Sequence, residues 1–255
     1  MIDQGWIDEA GNEVDQLNKL LHFFGIAWPK QWGELWRESA VNFRKSAAFE
    51  SDLKALSAWL RQGELEAQQI RCQPFDEDTF RHYLANEIRN LTVQPPEIFQ
   101  DELERLCALA GVAVVFVPQL PKARVSGATR WLHKDKALIQ LSLRYKTDDH
   151  LWFTFFHEAG HILLHGKRDI FLEADGNTNE KEKEANKFSR EILIPKEHLK
   201  RFLKQKKPSP RSKNGIRLFA RELGIAPGIV VGRLQHDGHL PYQNCNELKT
   251  TLRWA

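Results

Sequence analysis

Two histidines and a glutamate near the middle of the chain have the types and spacing of residues that can share a metal ion. Residues 157–161 read His-Glu-Ala-Gly-His, the pattern H-E-x-x-H. Four helical residues rotate by about 400°, so His157 and His161 lie one turn apart on one face, where both imidazoles can bind a zinc ion. Glu158 lies about 100° around the helix, where it can act as a general base without being a ligand.

The flanks of this motif are strongly apolar. They contain Leu151, Trp152, Phe153, Phe155, Phe156, Ile162, Leu163 and Leu164. A helix that is apolar nearly all round lies in a core, where two histidines and a glutamate are costly to desolvate unless they are paired. We therefore favour a metal site over a core helix whose polar groups only form hydrogen bonds.

A catalytic zinc site needs a third protein ligand and an open position. The extended pattern H-E-x-x-H-x-x-G-x-x-H is excluded, because Leu164 and Lys167 occupy its glycine and last histidine positions. The remaining candidates are His165, Glu173, Asp175, Glu180, Glu182 and Glu184. His165 continues the histidine face by one turn, and it is equally compatible with an outer partner of the site, a substrate contact or a core histidine.

The carboxylate candidates are distinguished by a predicted helix that begins at Glu180. Its inner face is formed by Ala185, Phe188, Ile192 and Pro195. Glu182 borders this face, whereas Glu180 and Glu184 point toward solvent. Asn186, one turn after Glu182, can orient a ligand imidazole.

The elements around the motif predict an α+β fold. A helix over residues 97–110 precedes predicted strands at 112–117, 126–132 and 137–143, and Asp148 and Asp149 can cap the helix that carries the motif. This order is that of a zincin-like core, a small antiparallel or mixed sheet with an active-site helix and a ligand helix. In that layout an edge strand binds extended substrate.

The chain divides into three predicted regions. Residues 1–94 read as a helical scaffold or interaction region, 95–205 as the metallopeptidase-like domain, which begins at Pro95-Pro96, and 206–255 as a C-terminal helical extension. Helical regions therefore flank the core on both sides.

Bulk composition indicates a soluble globular protein. Hydrophobic residues make up 42% of the 255 residues and charged residues 28%, and no apolar run approaches the length of a membrane span. The first residues do not form a signal peptide, and the three cysteines form neither a disulfide framework nor a metal clip. We expect a cytoplasmic protein that does not contact a membrane.

Three motifs resemble the ImmA/IrrE family of zinc metallopeptidases over about residues 111–195. They are Phe153-Thr154-x-x-His157-Glu158-x-Gly160-His161, Glu182-x-x-Ala185-Asn186-x-Phe188 and Ile192-Leu193-Ile194-Pro195. The resemblance implies a zinc endopeptidase with His157, His161 and Glu182 as ligands and Glu158 as general base. It also implies a protein substrate such as an XRE-type helix-turn-helix repressor, in a bacterial stress, mobile-element or toxin–antitoxin setting.

A competing hypothesis is a regulatory, antitoxin-like binding protein whose zinc site is structural or idle. In that case the helical flanks and a basic segment would carry the function. The segment from Lys196 to Arg217 contains nine Lys or Arg against one Glu, but a solvated helix end and loop is favoured over a nucleic-acid surface. Residues 216–234 faintly resemble a helix-turn-helix. Residues 1–92 contain no recognisable helix-turn-helix of the XRE type, so the chain is expected to be a short member of the ImmA/IrrE family or a piece of a longer protein. An intact Glu158 favours the enzyme hypothesis over the binding protein, because a purely structural site has no use for it. In the enzyme, Arg144 and Tyr145 are candidate hydrogen-bond donors to the oxyanion.

Overall fold

A computed structural model of the chain describes residues 1–35, 52–166, 171–173 and 180–253, with the backbone alone for 171–173. The helices and strands are α1 Glu13–Phe24, α2 Leu53–Gln69, α3 Glu77–Asn86, α4 Pro96–Leu109, β1 Val112–Phe116, β2 Gly127–His133, β3 Lys136–Leu141, α5 Asp148–Leu164, β4 Phe171–Glu173, α6 Glu180–Leu193, α7 Lys196–Leu203, α8 Lys213–Leu223 and α9 Pro227–His236. Residues 29–35 are also helical. The architecture confirms the predicted α+β class.

The sheet is small and mixed, with the strand order β1-β3-β2-β4. Strands β1 and β3 are parallel, and β2 is antiparallel to both β3 and β4. The three predicted strands all form, with ends shifted by one or two residues. Strand β4 was not predicted, because three residues are too few to display a period of two. It pairs with Gly127–Thr129 at the outer edge of β2.

Successive side chains of the strands enter two different hydrophobic cores. Val112 and Val114 of β1 join the larger core with α3, α4, α5 and the C-terminal helices. Ala113 and Val115 face the smaller core, which α1 and α2 cover. This alternation is the period of two of a strand buried on both faces. Helix α2 is tied to the sheet by Trp59, whose Nε1 donates to the carbonyl oxygen of Val117 at 3.0 Å.

The beginning of α5 differs from the prediction. Thr147 is the N-cap residue, and Asp148 and Asp149 lie buried in the first helical turn instead of capping it. Gly228 and Gly232 of α9 pack against these two carboxylates, where a Cβ atom would overlap them. The acidic side chains thus lie at the positive end of the helix dipole, which favours negative charge there.

The C-terminal segment is anchored to the same turn. Asp148 N donates to the carbonyl oxygen of Thr250 at 3.0 Å, and Thr250 N donates to Asp148 Oδ1 at 3.0 Å. Lys249 Nζ lies 2.7 Å from Asp149 Oδ2. The end of the chain therefore helps to position the helix that carries the metal-binding motif.

Helices α8 and α9 form the pair that resembled a helix-turn-helix. Gly224 between them has a φ of +68°, the left-handed conformation that glycine adopts readily. The apolar side chains of α9 are buried in the larger core; they are Ile229, Val230, Val231 and Leu234. That core combines residues from all three predicted regions, whose boundaries stay predictions. None of the helices in the described part of the chain has the length and apolar character needed to cross a membrane.

Candidate metal centre

Close packing of α5 and α6 brings the predicted ligands together. A Cβ atom on Gly160 would lie 3.2 Å from the Ala185 Cα and 3.1 Å from the Phe188 ring, so the glycine permits the short distance between the helices. Ser189 Oγ of α6 donates to the carbonyl oxygen of Phe153 on α5 at 3.0 Å. Two small residues and one hydrogen bond thus hold the ligand helix against the motif helix.

His157, His161 and Glu182 converge at the contact between these helices. Their ligand atoms all lie within 4.8 Å of one another, and the three residues are buried. His157 Nε2 lies 3.0 Å from His161 Nε2 and 3.1 Å from Glu182 Oε2, and His161 Nε2 lies 3.5 Å from Glu182 Oε1. Two ligand atoms about 2.1 Å from a tetrahedral zinc lie about 3.4 Å apart. The separations therefore fit one zinc-sized ion.

The electrostatics of the cluster also suit a cation. Burial lowers the pKa of His161 to about 4, although the hydrogen bond to Glu182 opposes this shift. Burial alone would raise the pKa of Glu182, but its interactions with His157 and His161 outweigh burial and hold the pKa at about 2. At neutral pH the site thus presents a neutral imidazole of His161 and an ionised carboxylate, the forms in which these groups bind metals.

Outer partners set the imidazole tautomers. His157 Nδ1 lies 3.1 Å from Asn186 Oδ1, so an N–H at Nδ1 donates to the amide and leaves Nε2 for a metal. His161 Nδ1 lies 2.9 Å from His165 Nδ1, and His165 Nε2 lies 3.0 Å from Glu184 Oε2. A donor at His165 Nε2 toward Glu184 makes its Nδ1 an acceptor for His161. Both ligand histidines then direct a lone pair at the metal position.

We expect His165→Ala to weaken zinc binding by roughly 10–100-fold, as loss of an outer partner typically does. Without its acceptor, His161 can adopt the tautomer in which Nε2 carries the proton. The measurement is zinc affinity by chelator competition, with His82→Ala, which removes an exposed histidine of α3, as the control. Unchanged affinity in His165→Ala would show that this contact does not orient His161.

Glu158 lies beside the cluster, fully buried between α5 and the sheet. Strand β2 approaches it at Gly127, where a Cβ atom would lie 2.9 Å from Glu158 Oε1 and 2.5 Å from Thr154 Cγ2. Thr129 Oγ1 of the same strand donates to the backbone oxygen of Glu158 at 3.3 Å. The position of the predicted general base is thus set by β2 as well as by its own helix.

Gly127→Ala should destabilise the protein by about 1–3 kcal/mol, the usual cost of overpacking. The added methyl would displace Thr154 and the Glu158 side chain. Denaturant unfolding measures the effect, and Gly11→Ala, where nothing lies within 4 Å of the added Cβ, is the control. Equal stabilities of the two variants would contradict the close packing at Gly127.

The metal centre opens into a cleft of about 430 Å³. His157, Glu182 and Asn186 lie on its wall, together with residues of α9 and the C-terminal segment. Those added residues include Ile229, Gly232, Arg233, Gln235, His236, Tyr242 and Lys249. Sequence reasoning did not connect them with the site, because no spacing rule links them to a motif some seventy residues earlier.

The two predicted oxyanion donors lie in different surroundings. Tyr145 lines the cleft, with its ring stacked on His150 at a centroid distance of 4.3 Å. Arg144 Cζ lies over the Tyr145 ring, 5.0 Å from its centroid, and Arg144 Nη1 donates to the carbonyl oxygen of Arg124 at 2.9 Å. The cleft geometry therefore favours Tyr145 of the two.

The remaining ligand candidates have different outcomes. Glu180 is exposed and lies 3.2 Å from Lys183 Nζ, as its solvent-facing prediction implies. Glu184 is also largely exposed, but it contacts His165, a role that the sequence did not reveal. The side chain of Glu173 and the whole of Asp175 lie outside the described residues.

The buried cluster of His157, His161 and Glu182 can hold a metal ion. It lies on two helices beside a small mixed sheet, the arrangement expected of an H-E-x-x-H metallopeptidase. Residues 110–235 match the Peptidase_M78 family model, described as an IrrE N-terminal-like domain. This match assigns the domain at residues 110–235 to the ImmA/IrrE family of metallopeptidases. A search of curated proteins finds no match to the chain.

Proposed function

We propose that the protein is a zinc-dependent endopeptidase. The observation that carries this proposal is the convergence of His157, His161 and Glu182 at separations of 3.0–3.5 Å next to the buried carboxylate of Glu158. A site with only a structural ion would have no use for that carboxylate. Membership of a metallopeptidase family supports the same conclusion.

Each residue has a definite task in this proposal. His157, His161 and Glu182 would hold the zinc ion, which when bound would polarise the scissile carbonyl and acidify water in the open position. Glu158 takes a proton from the attacking water and returns it to the leaving amine. The hydroxyl of Tyr145 donates to the developing oxyanion.

The proposed substrate is a protein, and an XRE-type repressor is the candidate that the family resemblance supplies. The cleft lies where α5, α6 and α9 meet, and its walls combine apolar and charged side chains that an extended peptide segment could contact. We place this activity in a reducing cytoplasm, because Cys72, Cys107 and Cys245 are all free thiols.

Zinc content tests the assignment directly. Protein purified without chelator should contain about one zinc ion per chain, because three protein ligands and an open position form one site. Elemental analysis measures this content before and after dialysis against a chelator and after zinc is added back. A protein that carries no zinc and takes none up would contradict the proposal.

A further inference from the structure

Helix α6 continues along the cleft with a charged side chain that the proposed mechanism does not use. Glu182, Asn186 and Arg190 follow at intervals of four residues, and all three line the cleft. Residues at this spacing lie on one face of a helix. Eight residues of helix span about 12 Å, which is the length of three to four residues of extended peptide.

The other cations of the cleft wall already have carboxylate partners. Arg233 Nε lies 2.6 Å from Asp237 Oδ2, and Lys249 Nζ lies 2.7 Å from Asp149 Oδ2. The guanidinium of Arg190 instead donates from Nη2 to His236 Nε2 at 3.2 Å. No ion pair within the described part of the chain includes Arg190. Its charge is therefore not neutralised by a direct partner.

His236 orients Arg190 without neutralising it. His236 Nδ1 lies 3.0 Å from Asp237 Oδ1, so an N–H at Nδ1 donates to that carboxylate and leaves Nε2 to accept from Arg190. Arg233 Nη1 donates to the backbone oxygen of Arg190 at 3.3 Å. Two guanidinium groups and one carboxylate leave a net positive charge at this wall. Burial, followed by the charge of Arg233, lowers the pKa of Arg190, with Asp237 opposing the shift.

We propose that Arg190 binds a carboxylate of the peptide substrate, three to four residues from the scissile bond. This proposal rests on the peptidase function proposed for the cleft. A guanidinium group matches a carboxylate with two parallel hydrogen bonds, and arginine stays charged when it is partly buried. Leu193, Ile194 and Ile229 border the same cleft, and their apolar surfaces strengthen a charge pair by lowering the local dielectric constant. The carboxylate belongs to an acidic side chain or to the C-terminus of the substrate.

Short peptide hydroxamates test this subsite on the zinc-loaded full chain. The hydroxamate group binds an open zinc position. The peptides are compared in pairs that differ at one residue, Glu in one peptide and Gln in the other, and this residue lies one to four positions to either side of the hydroxamate. A further pair carries a free or an amidated C-terminus at the same distance. We expect the parent protein to bind one Glu peptide, or the free C-terminus, about tenfold more tightly than its neutral counterpart. Isothermal titration calorimetry measures the affinities, and the two arms distinguish a side chain from a chain end.

Variants assign the preference to Arg190. Arg190→Gln should bind charged and neutral peptides equally, and the exposed control Arg211→Gln should keep the full difference. Arg190→Lys should keep part of it, because the charge remains and the paired hydrogen bonds are lost. This variant provides the same comparison if melting shows that Arg190→Gln has lost its fold.

The experiment distinguishes failure of the Arg190 subsite from failure of the proposed peptidase function. Hydroxamates that bind the parent protein with no preference for a carboxylate would overturn the subsite and leave the metal site standing. A preference that persists in Arg190→Gln would overturn the role of Arg190. No hydroxamate binding to zinc-loaded protein would contradict the proposed peptidase function, and with it the subsite.

Discussion

Glu158→Gln should reduce substrate cleavage by about 10²–10⁴-fold, the usual contribution of a general base, while zinc stays bound. The amide is nearly isosteric with the carboxylate and is not a metal ligand, but it cannot accept a proton from water. Glu158 is fully buried beside Gly127 and Thr154, so the similar shape of Gln also preserves the packing. The variant should still bind its substrate. The assay is co-expression with an XRE-type repressor as candidate substrate, followed by a blot for fragments.

Glu180→Gln is the matched control for this experiment. Glu180 is an exposed carboxylate on α6 that pairs with Lys183, so its loss should leave cleavage unchanged. Fragments at equal rates from the parent and from Glu158→Gln would contradict the mechanism. Fragments from none of these proteins, at equal zinc content, would favour the regulatory binding protein with an idle zinc site.

Glu182→Ala should weaken zinc binding by more than the roughly 10–100-fold that loss of an outer partner typically costs. The substitution removes one of three ligands and the only carboxylate in direct contact with both ligand imidazoles among the described residues. Cleavage should disappear with the metal. Zinc affinity is measured by chelator competition, and fold by the melting of the metal-free proteins.

Variants of two neighbouring glutamates provide the comparison for the zinc affinity of Glu182→Ala. Glu180→Ala should leave zinc affinity unchanged, and Glu184→Ala should lower it only through His165. Equal losses from all three variants would show that Glu182 is not the third ligand. A loss of zinc affinity in Glu184→Ala, with none in Glu182→Ala, would also show that Glu182 is not the third ligand.

The metal-binding motif and the helices and strands next to it are predictable from the sequence alone. The spacing of His157 and His161 places them on one helix face, and the alternating or continuous apolar runs predict β1, β2 and β3, because these signals depend on residues close together in the chain. Glu182 was predicted from its position at the border of an apolar helix face. The same local reasoning assigned Asp148 and Asp149 to a helix cap.

The surroundings of the motif depend on contacts between segments that are far apart in the chain. Packing of α9 buried Asp148 and Asp149 in the first turn of α5, a contact between segments about eighty residues apart. The path from His161 through His165 to Glu184 joins two helices whose relative rotation depends on the contact at Gly160. The cleft, and the contact of Arg190 with His236 on its wall, depend on the C-terminal helices in the same way. Side-chain periodicity records which face of an element is buried, but the neighbour that covers that face is set by packing over the whole domain.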